Sequence, residues 1–407
     1  MRKLTGPPRS AVREILAVPG ARAAILYSAL GRMPVAMTSI ALLFYLQRDT
    51  GSYAIAGLIS GSALAGTAVG SIIQGRLVDR NGAVRPLLVA AAVYGASAAA
   101  MFVFVENRFA VPILMVCASV LGLAQPALAT ASRALWTHSL PRGRARELAF
   151  TYEAISLETF FILGPALAAI ISSLAWAGSG LLVAVVAMIL GTVGFATSSL
   201  VRTVPLASAH RHRPIFQILA LPGMQTLLIA VLGLGVTIGF VEVAVPAEAV
   251  SAGLPALGGV LLGLWSLTSV VFGIAYARRP WPRTFAHRAP ALLILFGLLV
   301  GSVGIAQGDL LLFTILLMIS GLPITPQATL HSLIVERVAS EAQAAEAFGW
   351  VLAVLTAGVA IGHLGSGQIV EHLGPSVTMG LASIPAVLLG VIVILRRSSL
   401  ARTHDED

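Results

Sequence analysis

Apolar positions in this chain neither alternate nor recur in stripes; they run together in long blocks. These lie at roughly 21–46, 53–74, 86–105, 109–136, 147–174 and 177–200, then at roughly 222–246, 253–277, 289–307, 309–335, 345–370 and 375–395. Each is near or above the roughly 20 residues a tilted helix needs to cross a bilayer. Within hydrocarbon every backbone polar group must be satisfied by the segment itself, so blocks of this length read as membrane-spanning helices. The short alternating segments of a membrane β-barrel are a different pattern. A polar stretch from Arg202 to Pro214, with His210, Arg211, His212 and Arg213, divides the blocks into two sets of six. The expectation is an all-α polytopic membrane protein of twelve transmembrane helices in two six-helix halves. These are residues 1–201 and 221–407, joined by a cytoplasmic linker at 202–220.

The halves echo one another at a spacing of about 200 residues. Gly75-Arg76 is answered by Arg278-Arg279 and Ala56-Gly57 by Gly258-Gly259. Pro126 followed by Glu147 and Phe150 is answered by Pro326 followed by Glu346 and Phe348. Parallel repeats of this kind build transporters whose substrate site lies between the halves near mid-membrane.

Composition narrows the class. The chain of 407 residues is 57% hydrophobic and 11% charged, against about 25% charged in a soluble domain. Cys117 is the only cysteine, which excludes an intrachain disulfide and a cysteine metal cluster. No catalytic triad, zinc motif or phosphate loop is legible, so neither an enzymatic reaction nor a cofactor is expected. The net charge of +9 sits at helix ends and builds no basic domain, so nucleic acid is not an expected partner. Of the 26 Lys and Arg, 23 fall in the two tails, the linker and the loops after helices 2, 4, 8 and 10. Only Arg48 and Arg108 fall on the other side, and Arg32 lies inside helix 1. The positive-inside rule then puts both termini in the cytoplasm. Lys3 is the sole lysine, which with the alanine and glycine load suggests a high-GC bacterium and its plasma membrane.

Charged side chains near mid-bilayer are costly, so they pair, face a cavity or serve function. Arg32 lies about 11 residues into helix 1 and Glu158 about 12 into helix 5, which places the two at nearly equal depth. Glu153, about 140° round the helix from Glu158, is expected to face a different neighbour. Glu242, late in helix 7, is a candidate gating or proton-exposed carboxylate; Glu248 reads as loop. Gln125-Pro126 and Pro323-Ile-Thr-Pro326-Gln327 predict kinks in helices 4 and 10. His331, one turn beyond Gln327, is a candidate cavity residue, whereas His363 reads as packed. The spacing Gly57-x-x-x-Gly61 predicts close helix packing.

One stretch stands out from these blocks: Gly75-Arg76-Leu77-Val78-Asp79-Arg80-Asn81-Gly82, read as a charged turn bracketed by glycines. The pattern Gly-x-Leu-x-Asp-Arg-x-Gly resembles the loop between helices 2 and 3 of the major facilitator superfamily of secondary transporters. That resemblance implies that Asp79 contacts the start of helix 11 and steadies the outward-facing state. Gly164-Pro165 in helix 5 is similar to the family's antiporter signature, although Ala168-Ala169 replace its closing glycines. Ala118 stands where an intramembrane arginine is usual. With Glu153, Glu158, Phe161 and the Glu242-to-Pro246 run, the chain resembles actinobacterial drug and metabolite exporters. The resemblance implies a monomeric exporter of small amphipathic molecules in exchange for protons, a small-molecule substrate, and alternating access. Two alternatives are uptake of a polar nutrient by proton symport and a non-transporting sensor or lipid-handling protein.

Overall fold

The structure, a computed structural model of the chain, describes residues 15–16, 18–140, 144–173, 176–203, 218–277, 284–306, 308–339 and 344–400. The side chains of Asp79, Arg80 and Glu158 lie outside that description. Among the described residues every regular element is a helix, with no strand. The elements are α1 (Ala21–Thr50), α2 (Tyr53–Asn81), α3 (Val84–Glu106), α4 (Val111–Leu123), α5 (Leu128–Ser139), α6 (Arg144–Ser172), α7 (Ser179–Thr197) and the short α8 (Ser199–Thr203). A second set follows: α9 (Pro222–Ser251), α10 (Leu257–Ala277), α11 (Phe285–Val303), α12 (Leu310–Gly321), α13 (Ile324–Val338), α14 (Ala344–Leu381) and α15 (Ser383–Leu395). Among the described residues, 10 helical stretches are long and apolar enough to cross a membrane. One of them, Glu346–Leu395, is 50 residues long and contains a non-helical Gly374 (φ 80°, ψ 169°) at the point where the apolar pattern predicts a boundary.

The hydrophobic surface is turned outward. Leu26, Val89, Val116, Ile305, Leu311 and Leu395 are all at least 63% exposed, which suits side chains meeting lipid tails. Lipid gives no hydrophobic drive for helices to associate, so small residues and hydrogen bonds must hold them together. The seams bear this out. A Cβ on Gly191 of α7 would come within 2.3 Å of the Gly31 Cα of α1, and one on Gly239 of α9 within 2.4 Å of the Val359 carbonyl of α14.

The kinks expected at Gln125-Pro126 and Pro323 are present as breaks within the spans at 109–136 and 309–335, at Ala124–Ala127 and at Leu322–Pro323. One expectation from sequence changes. Residues 75–81 are not a turn: α2 runs on to Asn81, and the chain reverses only at Gly82 (φ 74°). A helix leaving hydrocarbon keeps its own hydrogen bonds and needs no apolar side chains, so it outlasts its hydrophobic block. Gly75 is therefore helical, and a Cβ there would meet nothing within 4 Å. Hereafter the end of the bundle carrying the α1–α2 link is called the Gly51 face, and the end carrying the α2–α3 link the Gly82 face.

Candidate functional site

Arg32 sits in mid-helix in α1 and is 2% exposed. Its Nη1 donates to Glu153 Oε2 at 2.5 Å and its Nη2 to the Glu153 carbonyl at 2.7 Å. The other carboxylate oxygen of Glu153 accepts from Ser132 Oγ at 2.7 Å and from Trp136 Nε1 at 3.2 Å. One acid thus ties α1, α5 and α6 together, and both of its oxygens are used. This corrects the expected partner, Glu158. The depth match assumed that helix 5 begins near residue 147, whereas α6 starts at Arg144. Counted from the observed starts, Arg32 is 11 residues into α1, Glu153 nine into α6 and Glu158 fourteen. Glu153 is therefore the nearer acid in depth.

The two broken helices are mended from neighbouring helices, since freed backbone groups in a membrane need partners. Gln74 of α2 donates through Nε2 to the Leu123 and Gln125 carbonyls, both at 2.9 Å, and accepts through Oε1 from Ala127 N–H at 3.0 Å. Thr67 donates to Gln125 Oε1 at 3.1 Å. In the second set Ser269 accepts from Thr325 N–H at 2.9 Å, and Thr268 donates to the Met318 carbonyl at 2.8 Å. Gln125 Nε2 and both polar atoms of the Gln327 amide have no hydrogen-bond partner among the described residues. Gln327 and His331 are buried, at 1% and 5% exposure. Trp265 is packed as well, donating to Ser320 Oγ and stacked on Phe296.

The two sets meet along α2 against α14 and α6 against α10. A Cβ on Gly57 would lie 2.5 Å from the His363 carbonyl, one on Gly61 2.9 Å from the Ala360 carbonyl, and one on Gly367 2.6 Å from the Tyr53 carbonyl. On the other line, a Cβ on Gly259 would lie 2.3 Å from the Pro165 carbonyl. All these contacts fall toward the Gly51 face, at the start of α2 and α10 and late in α6 and in the first limb of α14. Gly164-Pro165 is part of the junction: Gly164 rests on Ala36 of α1, while the Pro165 carbonyl meets α10.

At this junction lies a polar chain that sequence reasoning assembled only in part. Glu242 Oε2 of α9 is 2.9 Å from His363 Nε2 of α14, and His363 Nδ1 is 3.0 Å from Ser60 Oγ of α2. The His363 side chain is 0% exposed and that of Glu242 20%. A proton on Nε2 is donated to Glu242 and leaves Nδ1 to accept the Ser60 hydroxyl; a doubly protonated ring donates to both. His363, read from sequence as packing, is thus the centre of a link between the two sets. The available signal was a polar residue inside each glycine seam, Ser60 between Gly57 and Gly61 and His363 beside Gly362. Nearer the Gly51 face, Glu371 Oε2 accepts from the Tyr53 N–H at 2.8 Å and the Ala54 N–H at 3.4 Å. Glu248, read as loop, is instead inside α9 and 7% exposed. Of the 75–82 stretch, Arg76 is exposed and Gly82 closes the helix.

Residues 24–322 match the model of the Major Facilitator Superfamily. The chain belongs to that superfamily of transporters. Among curated proteins, none matches this transporter by sequence. Solved structures share its fold. A peptide transporter POT in complex with sulfate has a TM-score of 0.71 at 14% identity, covering 97% of this chain and 99% of that one. A nucleoside transporter, NupG, has a TM-score of 0.71 at 12% identity, covering 93% and 99%. The human organic anion transporter MFSD10 has a TM-score of 0.61 at 16% identity, covering 96% and 100%. His363 and Glu371 lie beyond the residues matched to the family.

Proposed function

We propose that this transporter exports small amphipathic molecules in exchange for protons, by alternating access between halves 1–201 and 221–407 joined by the linker 202–220. In this reading the chain makes twelve passes through a bacterial plasma membrane as a monomer, with its termini and the Gly82 face in the cytoplasm. The observation that carries proton coupling is the Glu242–His363 pair: an acid and an imidazole 2.9 Å apart, at the seam where the halves must part. Histidine is the side chain whose ordinary titration range brackets neutral pH. Separation on the Gly51 face removes Ser60 from the ring and opens the pair to protons from that side. Closure returns it to the interior. The Arg32–Glu153 pair lies wholly within the first half with both acid oxygens occupied, which suits a clamp better than a carrier. Gln125, Gln327 and His331 serve in this reading as cavity polar groups. Asp79 and the helix end that carries it, Gly75 to Gly82, act as the switch for the opposite face.

The test uses purified transporter in proteoliposomes with an imposed pH gradient and a panel of amphipathic and polar substrates. Glu242→Gln is expected to lose gradient-driven transport while keeping substrate exchange without a gradient. Transport driven by the gradient in that variant removes Glu242 as the carrier. Accumulation that follows protons inward, rather than opposing them, establishes symport instead. Asp79→Asn is expected to preserve folding and substrate affinity but to slow turnover.

A further inference from the structure

Two helix starts among the described residues are capped from within their own chain segment. Ser52 Oγ accepts from Ile55 N–H three residues on, and Asp309 Oδ1 accepts from Leu311 and Leu312 N–H. The first two N–H groups of α2, those of Tyr53 and Ala54, are served differently. Their acceptor is Glu371, 318 and 317 residues away and in the other half of the transporter. A carboxylate at a helix amino terminus meets both unpaired donors and the positive end of the helix dipole. At an exposed site such an interaction is modest, and Glu371 is exposed, so water can replace it when the halves part. Seven residues deeper in α2, Ser60 Oγ meets His363 Nδ1, eight residues before Glu371 in α14. The two links therefore lie on the same pair of helices, about 12 Å apart along α14. Between them, Gly57 and Gly367 let the backbones touch, with a Gly367 Cβ placed 3.1 Å from the Gly57 Cα.

We propose that Glu371 is a positioning residue for transport. By capping α2 across the junction, it holds the Gly51 face closed and, together with the Ser60–His363 bond, sets the balance between the two states. The link is a reversible latch: it forms only when the amino end of α2 reaches the carboxyl end of the first limb of α14, and it leaves no charge stranded when broken. The inference uses the two-state reading above but neither its substrate nor its proton coupling.

The test measures distance on the Gly51 face without substrate or pH gradient, in the full-length transporter in lipid nanodiscs. In a Cys117→Ser background, spin labels at Asn107→Cys and Leu254→Cys, both on exposed links of that face, report separation of the halves. Glu371→Asp, Glu371→Gln and Glu371→Lys form a charge series. The expected result is a rise in the long-distance population in that order, about three-fold for Gln and about ten-fold for Lys relative to the unsubstituted pair. Ser60→Ala is expected to shift the population the same way without any change in charge. A merely structural role for Glu371 predicts altered melting temperature with an unchanged distance distribution. That outcome, or a shift that ignores charge, overturns the proposal. Failure to find a transported substrate leaves this measurement intact.

Discussion

Single side chains decide how this bundle tolerates polar groups in a membrane. Gln74 makes three hydrogen bonds to a broken stretch of backbone, and each buried group left unpaired costs about 1–3 kcal/mol. Gln74→Ala is therefore expected to destabilise the transporter by about 2–4 kcal/mol, read as a lower melting temperature in detergent. Gln74→Glu should fail as well, because it keeps the acceptor but loses the donor to two carbonyls. The Arg32–Glu153 pair is a sharper case. Removing one partner of a buried ion pair typically costs about 3–5 kcal/mol, whereas replacing both is often neutral. Arg32→Ala or Glu153→Gln alone should lower expression and stability. The double variant, Arg32→Met with Glu153→Gln, should restore both, and with them transport, since the pair bridges no moving junction. Recovered stability with transport still lost would return the pair to the coupling mechanism.

Among the elements, α2 is the one on which most of the candidate chemistry is strung. It begins under the Glu371 cap, meets α14 through Gly57 and Gly61, offers Ser60 to His363, mends α4–α5 through Gln74 and ends in the charged stretch at Gly82. Its glycines are not equivalent. Gly57→Val would press a side chain onto the His363 carbonyl, 2.5 Å from the new Cβ, and should hold the Gly51 face open. Thiol-labelling of a cysteine introduced at the buried Tyr53, in a Cys117→Ser background, checks this, with faster labelling expected. Gly75 is helical with open space around it, so Gly75→Ala should stabilise by up to about 1 kcal/mol. Gly82 sits at φ 74°, ψ 170°, a region essentially confined to glycine, where a side chain costs about 1–3 kcal/mol. Gly82→Ala should lower the melting temperature where Gly75→Ala raises it.

For the molecule as a whole, the sequence alone determined the class, an all-helical membrane protein built from long apolar helices. Hydrophobic blocks of bilayer length leave the backbone one solution, and that solution is local. Proline and glycine marked the breaks near Gln125 and Pro323 and the reversal at Gly82, because those conformations are also fixed within a few residues. The family pattern was legible for the same reason, being carried by contiguous motifs. Pairing across the bundle was not. Which acid meets Arg32 depends on where α1 and α6 start and how they cross, and a shift of three residues moved the match from Glu158 to Glu153. His363 became a link rather than filler only because α14 lies between α9 and α2, with glycine seams on both sides. Glu371 reached the start of α2 from more than 300 residues away. Such contacts are set by helix crossing and rotation, which in lipid follow from the fit of small residues on facing helices. That fit is a property of pairs of surfaces, so it was decided by the tertiary structure.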